Sequence, residues 1–120
     1  MKQIRVYSAS VSVKSATERI INFKLRDYRG SRLTDRVKLE MVVFDSVNLT
    51  TPASNASLAT ALRGTILDGS GSAALVFETD NEGWFSCVLT KAAPGTVWIT
   101  CANTYGGPVV ESSDILEVTF

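Results

Sequence analysis

The chain has 120 residues, 12 basic and 12 acidic side chains, no histidine and a hydrophobic fraction of 45%. This length and composition predict one folded domain, residues 1–120, and exclude a disordered chain or a miniprotein that depends on disulfides. No run approaches the ~20 apolar residues of a membrane-spanning helix, and the polar N-terminal stretch is not that of a signal peptide.

The zero net charge hides an uneven distribution along the chain. Residues 1–63 contain 11 Lys/Arg and 5 Asp/Glu, whereas residues 64–120 contain one lysine and seven acidic residues. The two parts therefore carry +6 and −6. Such a separation of charge predicts a polar surface and an electrostatic contribution to docking.

The beginning of the chain alternates apolar and polar residues, the pattern of a half-buried β-strand. Ile4 and Val6 have one parity, while Val11 and Val13 have the other. One regular strand cannot place both pairs on the same face. The sequence therefore predicts a bulge or a change of sheet near residues 7–10.

Two further alternating segments, 21–27 and 37–44, flank a polar stretch with aspartate and glycine at turn positions. They are predicted to pair as a hairpin with a long loop. Residues 45–64 are the least strand-like part of the chain. Leu58 and Leu62 are four residues apart, which predicts a short helix around residues 55–63.

Short alternating segments return after this linker. They cover residues 65–68, 73–79, 84–90, 96–104 and 114–120, and the segments 84–90 and 96–104 are predicted to pair across the intervening loop. About seven to eight short strands separated by turns predict an antiparallel β-sandwich.

Two long segments resemble immunoglobulin-like domains of the invasin/intimin type. The first is "INFKLRDYRGSRLTDRVKLEMVVF", and the second is "TDNEGWFSCVLTKAAPGTVWITCAN". The residues that match the family's turn motifs are Asp27 and Gly30, then Thr79, Asp80 and Gly83, then Gly95, Thr96 and Val97. The resemblance covers most of residues 19–120. It implies an immunoglobulin-like sandwich used for spacing, display and adhesion, without catalysis, either in tandem in exported adhesins or singly in bacteriophage virion proteins.

The sequence predicts neither an enzyme nor a cofactor or metal site. Without histidine, the commonest general base is missing. Cys87 and Cys101 share parity with core residues and are predicted to be reduced thiols in the core; a disulfide and a functional thiol are the alternatives. Asp80 and Gly83 fit turn chemistry, and a calcium site is the alternative interpretation of their acidic turn.

A basic segment and two tryptophans form the predicted interface. The interface residues are Arg26, Tyr28, Arg29, Arg32, Arg36, Trp84 and Trp98. The basic segment is either a solvated hairpin or a docking surface for an acidic protein, with nucleic acid as a third alternative. The tryptophans are predicted to share one outer sheet face, either at an interface or under cover of another segment.

Strict alternation of strand direction predicts the basic 26–36 loop at one end of the sandwich and the acidic 80–83 turn at the other. Such an axial charge dipole favours end-on docking, including assembly of a homo-oligomer.

The expected function is a non-catalytic bacteriophage virion protein, a capsid decoration (cement) or other accessory subunit. Its expected partners are capsid or tail proteins, with no nucleic acid, membrane or small-molecule substrate, and its expected location is the virion, assembled in the host cytoplasm. We expect neither an export leader nor a tandem copy, and this expectation favours the virion role over the alternatives, an adhesin module or a carbohydrate-binding module.

Overall fold

The computed structural model describes residues 4–27, 36–46, 48, 51–102 and 116–120. Within these ranges the secondary structure is all β, which confirms the predicted fold class. The strands are β1 (Ile4–Val13), β2 (Glu18–Asp27), β3 (Lys38–Phe44), β4 (Ala56–Arg63), β5 (Thr65–Asp68), β6 (Ala74–Glu78), β7 (Trp84–Lys91), β8 (Thr96–Ala102) and β9 (Leu116–Thr119).

The strands form two antiparallel sheets packed face to face. One sheet has the order β1-β2-β7-β4 and the other β5-β6-β3-β8-β9. The first order corresponds to strands A, B, E and D of an immunoglobulin sandwich, and β3-β8-β9 corresponds to C, F and G. The β5–β6 hairpin extends the second sheet on the side of β3 that faces away from β8.

One apolar layer fills the space between the sheets. In β2, Ile21, Phe23 and Leu25 are fully buried, and in β3 Met41 and Val43 are fully buried. The rings of Phe77 in β6 and Phe85 in β7 stack across this layer, with centroids 4.2 Å apart and planes inclined by 22°. Burying each such side chain contributes about 1.5–3 kcal/mol.

The two predicted hairpins, 21–44 and 84–104, are wrong. β2 pairs with β1 and β7, whereas β3 pairs with β6 and β8 in the other sheet. Likewise β7 and β8 belong to opposite sheets. Strands β2, β3, β7 and β8 each have a strongly apolar face, and the chain crosses between the layers so that these faces meet.

The helix predicted around residues 55–63 is also wrong, because this segment is strand β4. Leu58 is fully buried and pairs with Leu89 of β7, whereas Leu62 is 53% exposed. The two leucines therefore do not form one helical face. Thr60 takes a positive φ of 57° and interrupts the pairing between Ala59 and Arg63.

The irregularity predicted in the first strand is confirmed. The register of β1 against β2 shifts between Val6 and Ser8, so one extra residue is inserted into β1 at this point. A bulge of this kind reverses the parity of the residues that follow it.

The chain passes from one sheet to the other at Gly64, between β4 and β5. Gly64 has a φ of 76°. A Cβ at this position would lie 2.6 Å from the carbonyl oxygen of Glu78 and 3.0 Å from the Cδ1 atom of Phe85. Glycine is therefore required both by the backbone conformation and by the close approach of β6 and β7.

Gly64→Ala should lower the free energy of unfolding much more than Gly71→Ala does. Gly71 also has a positive φ, 89°, but a Cβ there would meet nothing within 4 Å. Gly71→Ala should therefore lower the free energy of unfolding by about 1 kcal/mol, the strain of a left-handed alanine. Gly64→Ala should lower it by about 3 kcal/mol, because steric overpacking is added to that strain. Urea unfolding of both variants measures the difference, and equal losses would contradict the steric role of Gly64.

Candidate functional site

Several predicted site residues meet at the end of the sandwich where β2 and β6 finish and β3 and β7 begin. We call it the Trp84 end; its described side chains include Lys24, Arg26, Arg36, Lys38, Arg63, Glu78, Asp80, Glu82 and Trp84. Lys24 pairs with Trp84 in the β2–β7 register. The backbone N–H of Leu25 donates to the carbonyl of Gly83 at 2.8 Å.

The turn between β6 and β7 is also fixed to the start of β3. The Thr79 N–H donates to the carbonyl of Val37 at 2.9 Å, and the Val37 N–H donates to Thr79 Oγ1 at 3.0 Å. Thr79 is almost completely buried. The turn thus contacts both strands that flank the basic 28–35 segment.

The predicted axial charge dipole is wrong, because the acidic turn and the strands flanking the basic segment lie at the same end. Arg36 and Glu78 form an ion pair at 3.7 Å. The cause is β4: as a strand rather than a helix, it adds one reversal of chain direction before residues 79–83. Glu111 and Asp114, two further acidic residues of the chain, lie outside the described residues.

Asp80 organises the turn. Its Oδ1 atom accepts hydrogen bonds from the backbone N–H groups of Glu82 at 2.9 Å and Trp84 at 3.0 Å, and Gly83 has a φ of 86°. Its Oδ2 atom binds the guanidinium group of Arg63, with Nη2 at 3.0 Å and Nε at 3.2 Å. Both oxygens are therefore used inside the protein, as expected of a turn-forming aspartate.

The pKa of Asp80 reflects these contacts. Burial by itself would raise the pKa of this carboxyl, but the hydrogen bonds from Trp84 and Glu82 and the charge of Arg63 outweigh burial, so the pKa is lowered. The carboxylate therefore stays ionised and keeps Arg63 in place at neutral pH.

Trp84 is half-buried under cations from the strands on both sides of β7. Lys24 Nζ lies 4.7 Å from the centre of the indole ring, and Arg63 Cζ lies 4.8 Å from it. Each cation–π contact of this kind contributes about 0.5–1 kcal/mol. Arg63 also approaches Glu82 at 4.0 Å. The result is a tryptophan held by a charged network on the outer sheet face.

The structure brings only part of the predicted interface together. Arg26 is half-buried near the end of β2, and Arg36 is exposed just before β3. Both lie at the Trp84 end. Tyr28, Arg29 and Arg32 lie outside the described residues.

Trp98 belongs to a different surface. It pairs with Phe44 of β3 and Glu117 of β9 in the five-stranded sheet, so the two tryptophans lie on opposite outer faces of the sandwich. The prediction that they share one face is wrong. Its cause is the false pairing of β7 with β8, which placed both tryptophans in one sheet.

Sequence reasoning missed the contribution of Arg63, which it assigned to a helix. Lys24 lies in the predicted strand 21–27, and nothing in the sequence indicates that it is a neighbour of Trp84. Only the pairing of β2 and β4 with β7 brings these two cations over the indole. No local motif contains that information.

The two cysteines are buried in the core as reduced thiols. Cys87 pairs with Ile21 in the four-stranded sheet, and Cys101 pairs with Met41 in the five-stranded sheet. Burial raises the pKa of Cys87 to about 12. A thiol with this pKa is protonated at neutral pH and is a poor nucleophile.

Within the described ranges, no group of three or more histidine, cysteine, aspartate or glutamate residues is placed to hold a metal ion. The same ranges contain no helix that is long and apolar enough to cross a membrane. No protein-family model matches the sequence, and comparisons with curated proteins and with solved structures give no significant match.

Asp80→Asn should reduce stability in a pH-dependent manner. Because the pKa of Asp80 is lowered on folding, its stabilisation is fully present above the unfolded-state pKa of about 3.9 and is lost as pH falls through the folded-state pKa. The variant should therefore lose about 1 kcal/mol at pH 7 and progressively less below about pH 4. Denaturant unfolding across this pH range measures the effect. Asp45→Asn, an exposed aspartate at the opposite end, controls for net charge, and a pH-independent difference would count against this assignment.

Neither cysteine should react with a maleimide before the protein unfolds. Labelling of the folded protein should be at least about a thousandfold slower than labelling in denaturant, because the buried thiols become accessible only when the whole domain unfolds. Mass spectrometry after timed quenching follows the reaction. Ser12→Cys places a thiol at an exposed position and should label at once. Comparable labelling of the wild-type thiols would show that they are accessible in the folded state.

Proposed function

We propose that this chain is a non-catalytic structural protein of a bacteriophage virion, a decoration or accessory subunit that binds neighbouring virion proteins through its Trp84 end. The supporting observation is the arrangement of Trp84 beneath Lys24 and Arg63, with Arg63 fixed by Asp80. Rigid tryptophan and arginine side chains are the residue types that most often dominate protein interfaces.

Exposed cations beside this cluster supply the charge for docking. Arg36 and Lys38 are exposed at the start of β3, and the contact of Arg36 with Glu78 is long, at 3.7 Å. Loose surface pairs of this kind contribute little to folding. Their cations are therefore free to exchange partners, which favours an acidic protein surface as the binding partner.

The chemistry of the 79–83 turn and of the thiols supports a binding role over catalysis. Asp80 uses both carboxylate oxygens to hold the turn and Arg63. Cys87 is buried, and its raised pKa keeps the thiol protonated. The residues best suited to acid–base or nucleophilic work are thus engaged in structure.

The virion setting rests on the resemblance of segments 21–44 and 79–103 to immunoglobulin-like domains of the invasin/intimin type. In that setting the domain would add buried area between adjacent capsid or tail subunits. A carbohydrate-binding role would need an open aromatic face, and the cations over Trp84 compete with a sugar for it. An adhesin module is the remaining alternative, and its array would be found in a long exported protein.

Mass spectrometry of purified virions tests the proposal directly, and we expect this chain at a fixed ratio to a capsid or tail protein. Arg36→Glu/Lys38→Glu should weaken rebinding to depleted particles by about tenfold or more, because like charges would face each other. Lys14→Glu reverses the charge of an exposed side chain near the β1–β2 turn, and this variant should rebind normally. Absence of the chain from virions would refute the virion role. Equal rebinding of all three proteins would exclude the Trp84 end as the contact.

A further inference from the structure

A second interaction surface lies on strand β1, away from the Trp84 cluster. β1 forms one edge of the four-stranded sheet, and within the described part of the chain its only sheet neighbour is β2. The outer edge of such a strand presents N–H and C=O groups that can pair with another strand. After the bulge, the register with β2 is continuous from Ser8 to Val13.

The other three edges of the two sheets, as far as the described residues form them, are short or interrupted. β4 breaks its register between Ala59 and Arg63, where Thr60 has a positive φ. β5 has four residues and a register shift between Ile66 and Asp68. β9 has four residues. Such features discourage strand addition, and β1 lacks them beyond its bulge.

The chemistry of β1 suits strand pairing. Residues 8–13, "SASVSV", contain no charge and no proline, the two residue features that most often protect an edge. Ala9 and Val11 pack against the core. Val13 has the same parity but is 75% exposed, the largest exposure among the large hydrophobic residues of the described ranges.

We propose that β1 pairs antiparallel with β1 of a second copy, about a two-fold axis at Val11. In this register Ala9 lies opposite Val13 of the other copy, and Ser10 lies opposite Ser12. The apolar side chains then share the inner face, and the hydroxyl groups share the outer face. Cross-strand pairs of both kinds are favourable.

A second copy fits this edge better than a charged partner. The strand meets its own sequence without opposing like charges between residues 9 and 13, and the whole chain has a net charge of zero, so copies do not repel one another. A two-fold axis makes the contact self-complementary and closed. The product is a continuous eight-stranded sheet, and the two Trp84 ends point in opposite directions.

Disulfide trapping tests the register. Residues directly opposite in an antiparallel pair have Cα atoms about 4.5–5.5 Å apart, within the range that a disulfide spans. Val11→Cys should therefore form a covalent dimer under mild oxidation, while Cys87 and Cys101 are buried. Val13→Cys is the matched control: this position is more exposed but lies off the axis. It should cross-link with Ala9→Cys on a second chain and only weakly with itself. Faster self-cross-linking of Val13→Cys than of Val11→Cys would overturn the register.

Charge variants test the dimer without a covalent bond. Ser10 and Ser12 are exposed, so Ser10→Lys/Ser12→Lys and Ser10→Glu/Ser12→Glu should fold normally, as circular dichroism would verify. Each variant alone should show a dimer dissociation constant raised at least about tenfold, because like charges oppose each other across the pair. Mixing the two variants should restore dimers in analytical ultracentrifugation. A wild-type chain that stays monomeric at all concentrations, or dimers unaffected in both variants, would refute the proposal.

Discussion

The stacking of Phe77 on Phe85 joins the two sheets, and the apolar layer around these rings is the constraint on which the rest of the structure depends. Because Phe85 points inward, its neighbour Trp84 must point outward, where Lys24 and Arg63 reach it. Gly64 permits the close packing of β6 and β7 against the corner between β4 and β5. The core and the Trp84 end therefore both follow from the register of β7 with its neighbours β2 and β4.

The Trp84 end combines both signs of charge within a small area. Asp80 holds Arg63, and Arg36 lies near Glu78. In the proposed function, recognition there would depend on the placement of individual cations around a fixed aromatic ring rather than on a dipole along the whole molecule. Interactions of this local kind are screened less steeply by salt than those between distant exposed charges, because close partners lie within one Debye length.

The free edge of β1 and the Trp84 cluster use different physical interactions. The edge offers backbone hydrogen bonds and small uncharged side chains, so it suits an extended strand. The cluster offers cations and an aromatic ring, so it suits an acidic surface. In the proposed β1 dimer the two Trp84 ends point in opposite directions, so one dimer would engage two partners, and binding through two linked sites raises avidity.

Outside β4, the sequence by itself determined which residues face the core, because alternation is a local property of an extended chain. It gave the inward direction of Phe85, Cys87 and Cys101, the bulge near Tyr7 and the turn role of Asp80. Only the tertiary structure decided which strands are neighbours, because alternation is the same whether two strands share a sheet or face each other across the core. The pairing of Leu58 with Leu89 makes residues 56–63 a strand rather than a helix. This strand adds one reversal of chain direction, which places the acidic turn at the same end as the strands that flank the basic segment. It also places Arg63 in a strand beside β7.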